Sequence, residues 1–308
     1  MDVGTAGEFE QALEQSDELI RLTADIAVAK SYTVHGTETI DLNGHSLTAD
    51  IGNPIFNVTE GGHLTMKGGN ASNRTQVAIA SGGGEIVVES GTYTSSRKEP
   101  FRAGIDGRVT VNGGKLTGQE GAVVAADGMG TIEVNGGELV GLDNFAISTN
   151  GSEGRGGNLI TVHGGRLEGN IKTGGYEAIG VYIANNDEFV MTGGEIIAHG
   201  GTGICMRAGR VFLAGGSITA TNVDKNGNIV ADGKIGDDPT IMTGCSAVIF
   251  HETSNYPGQR EGEMSLTVDG ATITGVDHSI QVLSEAAEPK VYVVSGTFNP
   301  PYLENAGE

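Results

Sequence analysis

The segments VTVNGGKL (109–116) and IEVNGGEL (132–139) decide the fold, because they are two copies of one pattern that start 23 residues apart. Each copy reads apolar, variable, apolar, variable, two small residues, variable, apolar. The alternation of apolar residues predicts a short strand with one buried face. The two glycines predict a sharp corner, since glycine adopts backbone conformations that other residues avoid.

The same pattern recurs along nearly the whole chain, with His45 as the exception at a small position. Its other copies are IDLNGHSL (40–47), LTMKGGNA (64–71), IVVESGTY (86–93), ITVHGGRL (160–167), FVMTGGEI (189–196), VFLAGGSI (211–218), LTVDGATI (266–273) and VYVVSGTF (291–298). All steps between copies are 22 to 29 residues except one of 55. This period is too short for a propeller blade and suits a coil of three short strands.

A third strand in each coil is predicted from short apolar runs between the copies. These runs are AVV (122–124), FAI (145–147), AIGV (178–181), GIC (203–205), AVIF (247–250) and SIQV (279–282). Strands of successive coils would stack about 4.8 Å apart in parallel ladders and bury one continuous core.

We therefore predict an all-β, right-handed parallel β-helix of about ten coils, forming a single domain over residues 1–308. Residues 1–17 are predicted to hold an N-terminal cap helix, from about 6 to 15, because Thr5-Ala6-Gly7-Glu8 has the form of a capping box. The coils would occupy 18–298, with insertions near 221–241 and 251–264, and 299–308 would form a C-terminal tail.

Three features of the sequence resemble the pectate-lyase-like β-helix repeat proteins. They are the run AGEFEQALEQSDELIRLTADI (6–26), the segment TIDLNGHSL (39–47) and the recurring VxGGxL motif. Such repeats occur in surface proteins of gut bacteria and in the tail and capsid appendages of their phages. The resemblance implies the fold, whereas function stays open, since the fold hosts lyases, hydrolases, adhesins and virion spikes.

Composition narrows the expected partners. The formal charge of −21 disfavours nucleic acid and anionic membranes, which need clustered Lys and Arg. Cys205 and Cys245 are too few for a disulfide framework; buried thiols are expected, and a single bridge between coils stays open. The sequence shows neither a signal peptide nor 18 consecutive apolar residues. We expect a virion or extracellular surface location, with a leader removed in the second case.

The outward-facing residues of the first strand, compared from coil to coil, predict no catalytic residues and no metal site. No two acids face each other on adjacent coils, and Glu133 has Thr110 and Thr161 as ladder neighbours. Glu138 and Glu195 would lie two rungs apart, but Arg166 lies between them, which predicts a ladder of alternating charges. A glycosidase needs a pair of suitably spaced carboxylates, so these residues disfavour an enzyme without excluding one.

Two insertions carry the candidate binding residues. Tyr256, Gln259 and Arg260 combine an aromatic ring with amide and guanidinium donors, which suits a sugar. Asp224 and Asp232 weakly resemble a calcium loop, although the spacing to a bidentate Glu is missing. We expect no cofactor, with calcium near these two aspartates as the alternative.

An outward apolar stripe on the later coils, Val190, Phe212 and Tyr292, is the predicted interface. An exposed apolar stripe should be covered, so we expect an insertion or another subunit over it and predict a homo-oligomer. The predicted function is a non-catalytic structural or adhesive protein of a phage virion surface, a capsid or tail appendage that binds a host surface or glycan. The alternatives are a secreted bacterial surface adhesin domain and a polysaccharide lyase or glycoside hydrolase.

Overall fold

The computed structural model describes residues 1–16, 18–170, 178–229, 234–235, 238–242, 245–250, 264–282 and 289–301, with 234–235 and 238–242 described by their backbone. These residues form one short helix, α1 (Ala6–Glu14), and a series of short strands. No helix in the described ranges is long and apolar enough to cross a membrane.

The strands follow in chain order: β1 Asp2–Val3, β2 Leu19–Leu22, β3 Ile26–Val28, β4 Tyr32–Val34, β5 Thr37–Asp41, β6 Ser46–Ala49, β7 Phe56–Val58, β8 His63–Lys67, β9 Asn70–Asn73, β10 Ala78–Ala80, β11 Glu85–Val88, β12 Thr92–Ser95, β13 Phe101–Ala103, β14 Arg108–Val111, β15 Lys115–Gly118, β16 Val124–Ala126, β17 Thr131–Val134, β18 Glu138–Gly141, β19 Ile147–Thr149, β20 Leu159–Val162, β21 Arg166–Asn170, β22 Ala178–Ile183, β23 Glu188–Met191, β24 Glu195–His199, β25 Gly201–Met206, β26 Arg210–Leu213, β27 Ser217–Thr221, β28 Lys234–Ile235, β29 Asp238–Met242, β30 Val248–Phe250, β31 Ser265–Thr274, β32 Ile280–Val282 and β33 Lys290–Asn299.

The strands stack into parallel ladders that run the length of the chain. One sheet has 21 strands and contains the first and second strands of each coil, and a sheet of 10 strands contains the third strands. The chain is thus an all-β parallel β-solenoid of about 11 turns. This confirms the predicted fold class, and the architecture is compatible with a pectate-lyase-like β-helix. The extra turn begins with β2 and β3, ahead of the ten copies of the repeat.

The core is built from the inward residues of all three strands of each coil. In one coil, Ile132, Val134, Leu139 and Ile147 are all fully buried. They belong to one apolar cluster that extends along the solenoid. Each coil therefore covers the apolar face of its neighbours, as expected for stacked repeats.

Glycine makes the corner between the first and second strands possible. Gly137 has φ +89°, and a Cβ there would lie 2.9 Å from the carbonyl oxygen of Gly114 in the coil below. Any other residue would be strained and would also collide with the stacked backbone.

Helix α1 covers the N-terminal end. Thr5 Oγ1 accepts from the Glu8 backbone N–H at 3.2 Å, and Glu8 Oε2 accepts from the Thr5 N–H at 3.0 Å, which completes the predicted capping box. Phe9 is fully buried and packs edge-on against Tyr32 and Phe56, with ring centroids 5.7 and 6.3 Å away.

The register of the earliest repeat differs from the expected one. The alignment of the repeat copies predicted that Ile40 lies beside Leu64. In the structure Ile40 pairs with Met66, and Glu38 pairs with Leu64. After the corner the expected pairing of Leu47 with Ala71 is observed. The corner at Leu42–His45 is two residues longer than its counterpart in the next coil, which explains why His45 did not fit the pattern.

The six predicted third strands overlap observed strands, β16, β19, β22, β25, β30 and β32. Four earlier ones, β4, β7, β10 and β13, complete the same ladder. In the first insertion, β28 and β29 form an antiparallel hairpin. Residues 251–263 of the second insertion lie outside the described residues.

Candidate functional site

A groove lies on the outward face of the third ladder. Arg102, Ala125, Ser148 and Tyr182 stand in register on successive coils. The two small side chains lie between the two large ones, which leaves a depression of about 340 Å³. Its lining is Arg102, Ala125, Ala126, Ser148, Thr149, Asn150, Gly151, Ser152 and Tyr182.

Arg102 forms one end of the groove and is held by two carboxylates. Its Nε donates to Glu99 Oε1, and its Nη1 lies 3.4 Å from Asp127 Oδ2. Glu99 is itself fixed, because Gln76 Nε2 donates to its Oε1 at 2.8 Å. Burial alone would lower the pKa of Arg102, but the hydrogen bond and the charges of Glu99 and Asp127 raise it. The guanidinium is thus charged and restrained.

The charges around Arg102 balance. Arg155 Nη1 lies 3.5 Å from Asp127 Oδ1, so two arginines face two acids, Glu99 and Asp127. These four side chains carry no net charge, in a chain of charge −21.

Tyr182 forms the other end of the groove. Its ring stacks on Phe145, with centroids 5.0 Å apart and an interplanar angle of 12°. The guanidinium carbon of Arg207 lies 5.3 Å from the Tyr182 ring centroid, within cation–π range. Because Arg207 is itself buried, the Tyr182 ring is packed between Phe145 and Arg207 and its orientation is restrained.

The third wall is the chain from Thr149 to Ser152. Thr149 Oγ1 accepts from the Ala184 N–H at 2.8 Å, and Asn150 Oδ1 accepts from the Ser152 N–H at 2.9 Å. These bonds tie the wall to the next coil and shape its turn. The side chains of Thr149 and Asn150 are therefore held in place in this wall.

Asp187 lies behind this wall and supports it. Its Oδ1 accepts from the backbone N–H and the Nδ2 of Asn158, at 3.0 and 2.8 Å. Burial raises the pKa of Asp187, against the hydrogen bonds that lower it. The side chain is almost fully buried and is not part of the groove lining.

The chemistry of the groove follows from this lining. Among the lining residues there is a guanidinium, several hydroxyls, an amide and an aromatic ring, and none is a carboxylate, histidine or cysteine. Phe145 and Arg207 cover the two faces of the Tyr182 ring, so the ring presents its edge and hydroxyl to the groove. The lining can therefore donate and accept hydrogen bonds beside an aromatic edge. It holds no acid–base pair of the kind that glycosidic bond cleavage uses.

The predicted binding residues of the insertions are not brought into this groove. Tyr256, Gln259, Arg260 and Asp232 lie outside the described residues. Asp224 is described: its Oδ1 accepts from the N–H groups of Asn226 and Asn228. The side chain of Asn228 also donates to it, at 2.9 Å, and this bond makes the largest contribution to lowering the pKa of Asp224.

The calcium alternative stays a prediction, because Asp232 lies outside the described residues. In the ranges that are described, no group of three His, Cys, Asp or Glu side chains could hold a metal ion. The hydrogen bonds of Asp224 shape a turn.

The apolar stripe is partly continuous. Val190 and Phe212 pair on adjacent strands, and Phe212 is 40% exposed. Thr267 separates Phe212 from Tyr292, which is 52% exposed. The predicted interface thus reduces to an adjacent pair and a separate tyrosine, and its role in assembly stays a prediction.

The charge ladder of the second strands is confirmed. Glu138, Arg166 and Glu195 are in register on successive coils. Lys115 Nζ lies 3.1 Å from Glu138 Oε1, and Arg166 Nη1 lies 2.8 Å from Glu195 Oε2. Cys205 and Cys245 are both buried.

The sequence contained a signal for the groove that the first-strand columns do not carry. Arg102, Ala125 and Ser148 recur every 23 residues, but the next member, Tyr182, follows after 34. That longer step hides the column from a search at a fixed period.

The chain matches no family model, no curated protein and no solved structure.

Proposed function

We propose that the chain is a non-catalytic, adhesive β-solenoid that binds a neutral glycan in the groove between Arg102 and Tyr182. The observation that carries this proposal is the groove lining, which offers hydroxyl, amide and guanidinium groups beside an aromatic wall and has no carboxylate. Binding sites commonly combine apolar surface with a few fixed polar groups.

Neutrality of the ligand follows from charge. The ion pairs around Arg102 cancel locally, and the net charge of −21 repels anionic polymers at long range. A volume of about 340 Å³ lies at the small end of the range for ligand sites. It suits one or two sugar rings rather than a long chain.

The setting of this activity belongs to the same proposal. An adhesive solenoid serves a phage capsid or tail appendage that attaches to a host surface, or a bacterial surface protein. The repeat motifs that resemble the pectate-lyase-like proteins support both settings.

The test is a glycan array followed by titration calorimetry of the best ligand. Ser148→Tyr fills the floor of the groove and should weaken binding at least tenfold. Ser72→Tyr is the matched control, because Ser72 is a similarly half-buried outward serine on β9, in the other sheet, and it should leave affinity unchanged.

Two results would contradict the proposal. Equal binding by both variants would place the ligand elsewhere. Shortened oligosaccharides in the incubated mixture, detected by mass spectrometry, would show a lyase or hydrolase instead.

A further inference from the structure

The floor of the groove places three side chains of different chemistry in a row. Arg102, Ala125 and Ser148 stand in register on β13, β16 and β19. Neighbouring strands lie about 4.8 Å apart, so the Arg102 and Ser148 positions are separated by about 9.6 Å, with Ala125 midway. A ligand on this floor therefore meets a guanidinium, a methyl group and a hydroxyl in that order.

Arg102 keeps one nitrogen for a ligand. Its Nε donates to Glu99 and its Nη1 to Asp127, whereas its Nη2 has no hydrogen-bond partner among the described residues. Guanidinium nitrogens donate and do not accept. Because two carboxylates hold the other nitrogens, Nη2 is a restrained donor at one side of the floor.

On the other side of the floor, Ser148 has an unused hydroxyl. Its side chain is half-buried and lines the groove, and its Oγ makes no hydrogen bond within the described ranges. The neighbouring Thr149 differs, because its Oγ1 already accepts from the Ala184 N–H. A serine hydroxyl can accept as well as donate, so Ser148 supplies an acceptor opposite Arg102.

Ala125 makes the bottom of the groove apolar. Its side chain is 7% exposed and yet lines the groove, so its methyl group lies below the ends of its longer neighbours. A polar ligand group pressed against this methyl would lose hydration without gaining a partner. The bottom of the groove therefore favours an apolar ligand group of similar size.

Among the neutral substituents of sugars, an acetamido group matches this row. A secondary amide is planar and trans, so its carbonyl oxygen and its N–H point to opposite sides of the group. The methyl group lies at the end that is farthest from the sugar ring. An acetamido group that enters methyl first thus reaches Ala125 with its methyl, Arg102 with its carbonyl oxygen and Ser148 with its N–H.

We propose that the groove recognises an N-acetylated amino sugar through this acetamido group. Arg102 Nη2 donates to the carbonyl oxygen, the N–H donates to Ser148 Oγ, and the methyl group packs on Ala125. A sugar hydroxyl at the same carbon satisfies at most one of these three contacts. This inference rests on the proposed glycan binding and names the sugar class that the same groove selects.

The test compares sugars that differ in one substituent. The probes are the methyl β-glycosides of N-acetylglucosamine and N-acetylgalactosamine, each beside its glucose or galactose counterpart, which carries a hydroxyl at that carbon. Titration of the full chain, followed by NMR, should show at least one N-acetylated sugar binding about tenfold tighter than its counterpart. Saturation-transfer NMR should show the strongest transfer to the acetamido methyl group.

Three substitutions then locate the preference. Ser148→Ala removes the acceptor, and Ala125→Ser makes the bottom polar without filling it. Each should reduce the ratio of the two affinities about threefold or more. Ser152→Ala is the matched control, because Ser152 lines the groove outside this row, and it should leave the ratio unchanged. Thermal unfolding checks that each variant folds.

Two results would overturn the inference. They are equal affinity for both members of each sugar pair, and a Ser148→Ala variant that keeps the full preference for the N-acetylated sugar. In either case a plain sugar on the glycan array would leave the proposed function standing. An array that yields no ligand at all would overturn both, so the two failures can be told apart.

Discussion

Glu38 occupies an inward position of β5, opposite Leu64 of β8. The side chain is 3% exposed, and its Oε2 has no hydrogen-bond partner. Burial raises the pKa of Glu38, and the nearby His35 offsets part of that rise. A carboxyl group in a column of apolar residues is thus a local weakness of the fold.

Replacing Glu38 with Gln should stabilise the protein at neutral pH by about 1 kcal/mol, since the neutral amide avoids part of the penalty of an unsatisfied buried charge. The folded pKa lies above the unfolded value, so the folded state binds the proton more tightly. The stability of the unmodified chain therefore falls as pH rises from the unfolded to the folded pKa of Glu38, and then levels.

Urea unfolding at several pH values checks this. The advantage of Glu38→Gln should grow from acidic to neutral pH, whereas Glu60→Gln, at an exposed corner residue, should show no such trend. A Glu38→Gln protein less stable than the parent at pH 7 would refute the argument.

Gly137 gives a second prediction at the residue scale. Gly137→Ala combines a disfavoured φ of +89° with a close approach to the Gly114 carbonyl, so we expect a loss of about 2–4 kcal/mol. Gly83 has φ +85° but nothing within 4 Å of an added Cβ. Gly83→Ala should lose about 1 kcal/mol, from the backbone alone. Equal losses in thermal unfolding would show that stacking does not restrict the corner.

Among the elements, the strands of the third ladder carry the groove. Glu99 precedes β13 and holds the Arg102 side chain that β13 presents. Loss of its charge should leave Arg102 less restrained, although Asp127 still pairs with it.

Glu99→Gln should therefore weaken binding of the array-selected glycan about three- to tenfold, because a charge-assisted hydrogen bond is replaced by a weaker one. Glu120→Gln, at an exposed position between β15 and β16, is the control. Calorimetry measures both, with thermal unfolding as a check on folding. Unchanged affinity in Glu99→Gln would show that Glu99 does not position Arg102 for glycan binding.

The repeat predicted the elements well, because two independent signals coincide in it. Apolar alternation marks the strand, and paired glycine marks the corner, as at Val109–Leu116 and Ile132–Leu139. The pairing of Ile40 was predicted wrongly. The corner after β5 is two residues longer than the corner after β8, which shifts β5 against β8 but leaves β6 in the expected register with β9.

The groove could not be predicted from the sequence, for a different reason. A depression arises from side-chain size across neighbouring coils, and Ala125 and Ser148 carry no chemical signal of their own. Their meaning comes from Arg102 and Tyr182 on either side. The capping box of α1, by contrast, is local to four residues and was predicted correctly.

At the scale of the whole molecule, stability should vary along the solenoid. An inward residue that is enclosed by a coil on each side should contribute more to stability than one that is partly exposed. The fully buried Val134 and the 47% exposed Val293 represent these two cases.

Val134→Ala should lower the free energy of unfolding by about 2 kcal/mol, because it leaves a cavity that the neighbouring coils enclose. Val293→Ala should lower it by less than about 1 kcal/mol, because that side chain is already partly in solvent. Guanidinium unfolding of both variants checks this. Equal losses would indicate that Val293 is as enclosed in solution as Val134.

The central claim of the account is that the groove between Arg102 and Tyr182 holds an intact glycan. The most direct measurement is a crystal structure of the chain with the best oligosaccharide from the array. We predict sugar density beside Tyr182, hydrogen-bonded to the wall at Thr149–Ser152 and to Arg102, with every glycosidic bond unbroken. Density on another face, or a cleaved sugar in the groove, would contradict the account.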